Sequence, residues 1–383
     1  MNNNRRRLAV LAALMFGLCC AASAADDPKV KAMWSAASKN DVAEVQRLIA
    51  EGVDVNAKDE YGYTALLYAA EHNSVDVAKV LIEAGADVNA KTSSGNTALL
   101  YAAWNNSVDA VKVLIEAGAD VNAKNGDGWT ALLSAACYDS VDVARLLIEA
   151  GADVNAKESG TGDTALLYAA RNNSVDVAKV LIEAGADVNV KTKSSDGLTA
   201  LLYAAEKNSV DLAKLLIEAG ADVDTKGRNG DTALLSAAKK NSVDMAKVLI
   251  EAGADVNANA GSGNTALLSA AGNGSVDVAR LLIEAGADVN ATNGKGYTAL
   301  MSAAAKNSVD LAKLLIEAGA DVNANAGSGN TALMEAAWNN AVAAVKLLIE
   351  AGADVNAKNN NAMSALTYAG GDVRKLLEAA GAR

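Results

Sequence analysis

The chain has 383 residues and a formal net charge of −12, with 34 basic and 46 acidic side chains, and only 4% of its residues are aromatic. So acidic a chain repels nucleic acid and anionic lipid, which are bound by neutralising phosphate with Lys and Arg. One histidine and three cysteines leave little for a zinc site or a disulfide framework.

At the N-terminus, Arg5, Arg6 and Arg7 precede an apolar run from Leu8 to Cys20, and Ala22-Ser23-Ala24 closes it before Asp26. That order of basic, apolar and small residues predicts a secretory signal peptide over residues 1–24, cleaved after Ala24. The run is shorter than the about 20 residues a membrane-spanning helix needs. The triple arginine is a loose match to the twin-arginine route, and Leu18 before Cys19 is a poor match to a lipid-attachment site. The expected mature chain, 25–383, loses three arginines and no acids, moving its charge from −12 to −15, and keeps one cysteine, Cys137. It is expected to be exported and to have no membrane insertion after cleavage, with a periplasmic location and an extracellular one as alternative.

From there the chain repeats itself. Thr-Ala-Leu begins at Thr64, Thr97, Thr130, Thr164, Thr199, Thr232, Thr265, Thr298 and Thr331, with a variant at Ser364, in steps of 33 residues except for one of 34 and one of 35. A fixed period of this length means one supersecondary unit stacked many times rather than two or three globular domains. The extra residues fall in the Gly/Ser-rich "KESGTGDTA" and "KTKSSDGLTA", as expected of loops.

Within one unit, "GYTALLYAAEHNSVDVAKVLIEAGADVNAK", Thr64 is expected to cap a short helix with Leu66, Ala69 and Ala70 on its buried face. Asn73 should stop it, since only Asn, Asp and Gly occupy that position along the chain, and these accept a left-handed backbone. Ser74 is then expected to cap a second helix, with Asp76 in its first turn, Val77, Leu81 and Ala84 inward and Lys79 paired to Glu83 outside. Gly85 should end that helix before a protruding, hairpin-like loop. In the last full unit Ala341 replaces the serine, a loss of about 1 kcal/mol that predicts fraying there.

These letters resemble the ankyrin repeat: "TALLYAA" matches the family's Thr-Pro-Leu-His-x-Ala-Ala, and Gly85–Ala90 its Gly-Ala-Asp-Val-Asn-Ala. The resemblance implies an all-α ankyrin-repeat solenoid of about eleven helix-loop-helix units. Residues 25–383 would form one solenoid, with 30–62 as N-terminal capping repeat, 63–361 as internal repeats and 362–383 as a shortened C-terminal cap. The family's proline is Ala65 here and its histidine is Leu67, Leu100, Leu133, Leu167, Leu202, Leu235, Leu268, Met301, Met334 or Thr367. A row of aliphatic contacts should therefore replace histidine hydrogen bonds, each buried leucine contributing on the order of 1.5–3 kcal/mol.

Chemistry is sparse once the scaffold letters are set aside. Ser134, Cys137 and Asp139 lie within six positions, but the only histidine, His72, is two units away, so no nucleophile-base pair is expected. "DVNAKNGDGWT" lacks the closing glutamate of a calcium loop, and Asn and Asp there are expected to make local turns. "GSGN" at Gly261 and Gly327 reads as a turn rather than a phosphate cradle. No enzyme activity, cofactor or metal is assigned.

What varies is the side of the first helix away from Leu66. In the ankyrin fold that side lines a concave groove. Tyr68, Glu71, Tyr101, Trp104, Cys137, Tyr138, Tyr168, Arg171, Tyr203 and Glu206 are the expected partner-binding residues, rich in the Tyr, Trp and Arg that dominate hot spots. The alternative is that the tyrosines ladder along the stack, packing on neighbours for stability. Tyr61, Trp129 and Tyr297 in the loops either extend the binding face or cover adjacent helices. The expected partner is a basic or neutral protein bound by a monomer. Two other readings are a secreted effector on a host protein and a redox or small-molecule role through Cys137.

Overall fold

A computed structural model describes residues 27–194 and 196–383, so the expected signal segment, 1–24, lies outside the described residues. Among the described residues twenty-two helices follow one another in pairs, from Pro28–Ser38 to Gly371–Ala379. In a typical pair a seven-residue helix such as Ala65–Glu71 precedes a nine-residue one such as Val75–Glu83. Within each of the two units described below, first helices pack on the first helices of neighbouring repeats and second on second, and paired helices pack together. Among the described residues no strand forms, and two isolated antiparallel bridges, Asn259 with Thr265 and Asn325 with Thr331, close loop bases. None of the described helices is long and apolar enough to cross a membrane.

The contacts divide the chain into two compact units. One runs to Tyr168 and takes in Glu183–Ala186; the other holds Ala169–Ile182 and Asp187–Arg383.

Each repeat starts as its threonine dictates. Thr64 is extended (φ −100°, ψ 169°), and its Oγ1 accepts from the Leu67 N–H at 3.4 Å. The same bond recurs from Thr97 to Thr331 at similar distances. Leu66, Leu67, Ala69 and Ala70 are all buried behind it. The helix stops where expected: Asn73 has φ +56°, Asp139 +55° and Gly274 +72°.

The second helix is capped differently from the sequence expectation. Ser74, Ser107, Ser140, Ser209, Ser242, Ser275 and Ser308 make no side-chain cap bond. The hydroxyls of Ser107 and Ser242 turn back and donate to the side-chain oxygens of Asn73 and Asn208 in the preceding repeats. At two junctions the left-handed asparagine itself supplies the cap. Asn40 Oδ1 accepts from Val77 N at 3.2 Å, and Asn307 Oδ1 from Ala344 N at 3.0 Å. The fraying expected at Ala341 is therefore corrected. Ala341 is buried, and the helix Val342–Glu350 keeps its full nine residues with Asn307 as its cap.

Two smaller expectations change. Ala84 is exposed and Ala78 takes the buried position, because the helix already ends at Glu83. Lys79 stands 4.0 Å from Asp76, one turn back, while the expected i,i+4 pairing is seen at Lys313–Glu317. At such exposure either arrangement contributes little.

The loops carry a junction that the sequence reading missed. Asn89 Nδ2 donates to Gly118 O at 3.3 Å in the next repeat, and Asn89 Oδ1 accepts from Asp120 N at 2.8 Å. This two-point amide clip recurs at Asn56, Asn122, Asn189, Asn257, Asn290 and Asn323. It continues at Asn356, which holds Gly381 O and Arg383 N. A further close approach stacks the loop tips. Gly128 has φ +80°, its neighbour Asp127 accepts from Ser159 N at 2.8 Å, and a Cβ there would lie 2.8 Å from that same nitrogen. Only glycine fits.

Candidate partner-binding surface

In the first unit the fourth residue of each first helix forms the ladder anticipated from sequence, and most of it is packed. Tyr68 is half-buried, its ring 5.0 Å from Tyr63 and 6.2 Å from Trp34, and its hydroxyl donates to Asp59 Oδ2 at 2.8 Å. Burial, then that carboxylate, pushes the Tyr68 phenol up to about 12. Tyr101 is only 9% exposed, lies 5.8 Å from Tyr63 and shares a hydrogen bond with its hydroxyl. Tyr168 is 8% exposed and 4.9 Å from Trp129. Ring centroids at 4.5–7 Å are stabilising aromatic pairs. Tyr101 and Tyr168 thus pack the stack, and the loop aromatics Tyr63 and Trp129 are their partners.

The ladder breaks at Ser134. Its side chain is buried, with the hydroxyl donating to Thr130 O at 3.3 Å. Where the flanking repeats carry a phenol ring there is a cleft of about 260 Å³, bounded among others by Leu100, Trp104, Asp127, Trp129 and Tyr138. Trp104 and Tyr138, the last residue of one first helix and the residue just after the next, stack on each other at 5.5 Å and 22° and both border it. Both rings are about half exposed, 51% and 47%. Partial burial, then the Cys137 thiol beside it, raises the Tyr138 phenol. Cys137 and Glu71 are half-buried on the same side of their helices.

In the second unit Tyr203 is 8% exposed. The Arg171 guanidinium lies 5.4 Å from its ring centre, and Nε and Nη2 donate to its hydroxyl at 3.3 and 3.2 Å. Glu206 is exposed. Ser236 repeats the Ser134 substitution, but its cleft of about 180 Å³ has polar walls that include Glu206, Arg228 and Asp231. Tyr297 is covered: its hydroxyl donates to Glu335 Oε1 at 2.7 Å, which pushes it up to about 12. Trp338, outside the sequence-based selection, is exposed and lies 4.9 Å from Tyr368.

The apparent catalytic cluster around Ser134 separates into scaffold parts. Ser134 is sealed by its own helix, and Asp139 holds the left-handed turn. His72 is exposed, its Nδ1 3.0 Å from Tyr68 O. The calcium-like loop is a pair of local turns: Asn125 Oδ1 accepts from Asp127 N and Trp129 N, and Asp120 Oδ1 from Asn122 N. No group of three or more His, Cys, Asp or Glu side chains gathers as a metal site among the described residues. Gly261 and Gly327 spend their N–H groups on Asn229 O and Lys295 O in the preceding loops, as turns do.

The repeat geometry has a direct counterpart among known proteins. A family model for ankyrin repeats in three copies matches residues 9–92, 32–125, 122–192, 189–260, 258–326 and 286–359. The chain belongs to the ankyrin repeat family. A comparison with curated proteins finds no match. Relative to other ankyrin repeats, the histidine position is aliphatic and sealed here. Leu67, Leu133 and Leu235 are at most 1% exposed, as are Met301 and Met334. Thr367, in the last repeat, is exposed and accepts from Ser364 N instead. Ankyrin repeats of this kind are protein-protein interaction scaffolds, and in the first unit the exposed aromatic pair at Trp104 and Tyr138 departs from the packed ladder of Tyr101 and Tyr168.

Proposed function

We propose that the chain is an exported, periplasmic ankyrin scaffold that holds a basic or neutral protein partner against the first-helix side of its repeats, with no reaction of its own. The stacked, half-exposed pair of Trp104 and Tyr138 carries this reading. Large rings held by one another lose little entropy when a partner covers them, and such side chains dominate binding hot spots. Glu71 and Cys137 border the same side in the first unit. In the second unit Arg171, fixed on Tyr203, and Glu206 offer polar contacts of their own. The charge of −12 supports a basic or neutral partner, and the basic-apolar-small order of residues 1–24 supports export.

The test is quantitative capture from periplasmic extract with the mature chain, with Trp104→Ala/Tyr138→Ala, and with Lys112→Ala on the second-helix face. A partner enriched by the mature chain and by Lys112→Ala, but about tenfold or more depleted with the double variant, is the expected result. Equal recovery with all three would overturn the surface, and recovery only from culture supernatant would overturn the periplasmic location.

A further inference from the structure

We propose that the Ser134 cleft binds a guanidinium group, and that the partner fills it with an arginine side chain. Three aromatic side chains, Trp104, Trp129 and Tyr138, border a space of about 260 Å³ that Leu100 and Ser134 also line. The ring faces carry the negative side of their quadrupoles, which attracts a cation. The polar lining is chemically selective because most of it is already engaged. The Asn125 amide donates to Asn96 Oδ1 at 2.8 Å and accepts two loop N–H groups. Asn96 Nδ2 donates to Ser94 and Tyr101 at 3.2 Å each. The Ser134 hydroxyl is bound to Thr130 O.

The charged group in the lining is Asp127, an exposed carboxylate whose own backbone oxygen is the atom holding Ser159. An aromatic-walled cleft with one available carboxylate and no cation in its lining fits a planar cation. A guanidinium stacks on the rings while its edge N–H groups reach Asp127, and it is more weakly hydrated than an ammonium. The overall charge of −12 favours the same sign. The Ser236 cleft serves as an internal contrast: it arises from the same substitution, but Arg228 stands in its lining and no aromatic ring does.

That the guanidinium belongs to a protein rests on the partner reading above; the preference of the cleft for the group does not. The chain has four tryptophans, giving four indole N–H resonances, two of them from the cleft walls and two from Trp34 and Trp338 elsewhere. The mature chain is titrated with the capped peptide acetyl-Gly-Arg-Gly-amide and with its neutral citrulline isostere, following these resonances by NMR. The expected result is a saturable shift at Trp104 and Trp129 only, with the citrulline peptide at least tenfold weaker. Ser134→Tyr, which installs the residue that flanking repeats accommodate, should weaken binding at least tenfold with Trp34 and Trp338 unmoved. Asp127→Asn should weaken it about threefold or more.

Equal binding of the two peptides, or unchanged binding in folded Ser134→Tyr, would overturn the inference. The partner reading fails separately: it falls if capture survives Trp104→Ala/Tyr138→Ala, whatever the peptide does.

Discussion

Trp104 and Tyr138 stack at 5.5 Å across two consecutive repeats, and both rings stay about half exposed. Two ladder aromatics of the same unit do the opposite. Tyr101 and Tyr168 are sealed beneath loop rings and serve the stack. Stability and binding should therefore separate by residue. Trp104→Ala with Tyr138→Ala removes one exposed pair worth about 0.5–1.5 kcal/mol, so thermal melting should change little. Partner affinity should fall tenfold or more. Tyr101→Ala should do the reverse, costing about 3–5 kcal/mol as a buried aromatic deletion. Melting curves and binding isotherms on the same variants check this.

The asparagine clip between repeats has one informative exception. Asp224 occupies its position and still accepts from Asp255 N at 2.8 Å, but a carboxylate has no amide to donate to Gly253 O. Asp224→Asn should supply the missing donor and stabilise the protein by about 0.5–1 kcal/mol, the low end for an exposed hydrogen bond. Denaturant unfolding measures it. A lower midpoint would contradict the clip.

Ala362 stands where each Thr-Ala-Leu repeat has glycine, from Gly62 to Gly329, and its φ is +59°. An L side chain in that region costs roughly 1–2 kcal/mol, partly offset by the greater freedom of glycine when unfolded. Ala362→Gly should stabilise the C-terminal repeat by about 1 kcal/mol, seen as slower amide exchange in Gly371–Ala379.

Glu158 folds the 34-residue repeat's longer loop around its carboxylate. Gly160 N and the Thr161 hydroxyl donate to it at 2.6 Å each, and Asp163 N at 3.2 Å. Burial alone would raise its pKa, but these donors together hold it below the ordinary 4.5. A depressed carboxyl contributes stability that is present above the unfolded pKa and lost as pH falls through the folded value. Glu158→Gln should therefore lower the melting temperature near neutral pH, and the gap to the unmodified chain should close below about pH 4.5.

The sequence disclosed the periodic positions that act within their own repeat, but not the equally periodic asparagine clip, whose partners lie in the next repeat. Thr64 as a cap and Asn73 as a left-handed stop each answer a local backbone demand, so one letter per repeat reveals them. Ser74 misled because its hydroxyl answers to a neighbouring repeat: Ser107 bonds Asn73, thirty-four residues back. The Ser134 gap was visible as a missing tyrosine. Its walls were not, because Trp104, Trp129 and Tyr138 come from two repeats and a loop, and only the stacking register brings them together. Nor could periodicity separate Tyr101 from Trp104, three residues apart on one helix, since the cover over Tyr101 is a loop ring from the preceding repeat.

The central claim, that the aromatic face around Trp104 and Tyr138 meets a protein partner, is most directly tested by site-specific photocrosslinking in the native host. A photoreactive residue is placed at Tyr138 and, as a control, at Lys112 on the second-helix face. A discrete adduct of one protein at position 138, absent at 112, is the predicted result. Adducts at 112 alone, or the same adducts at both positions, would contradict it.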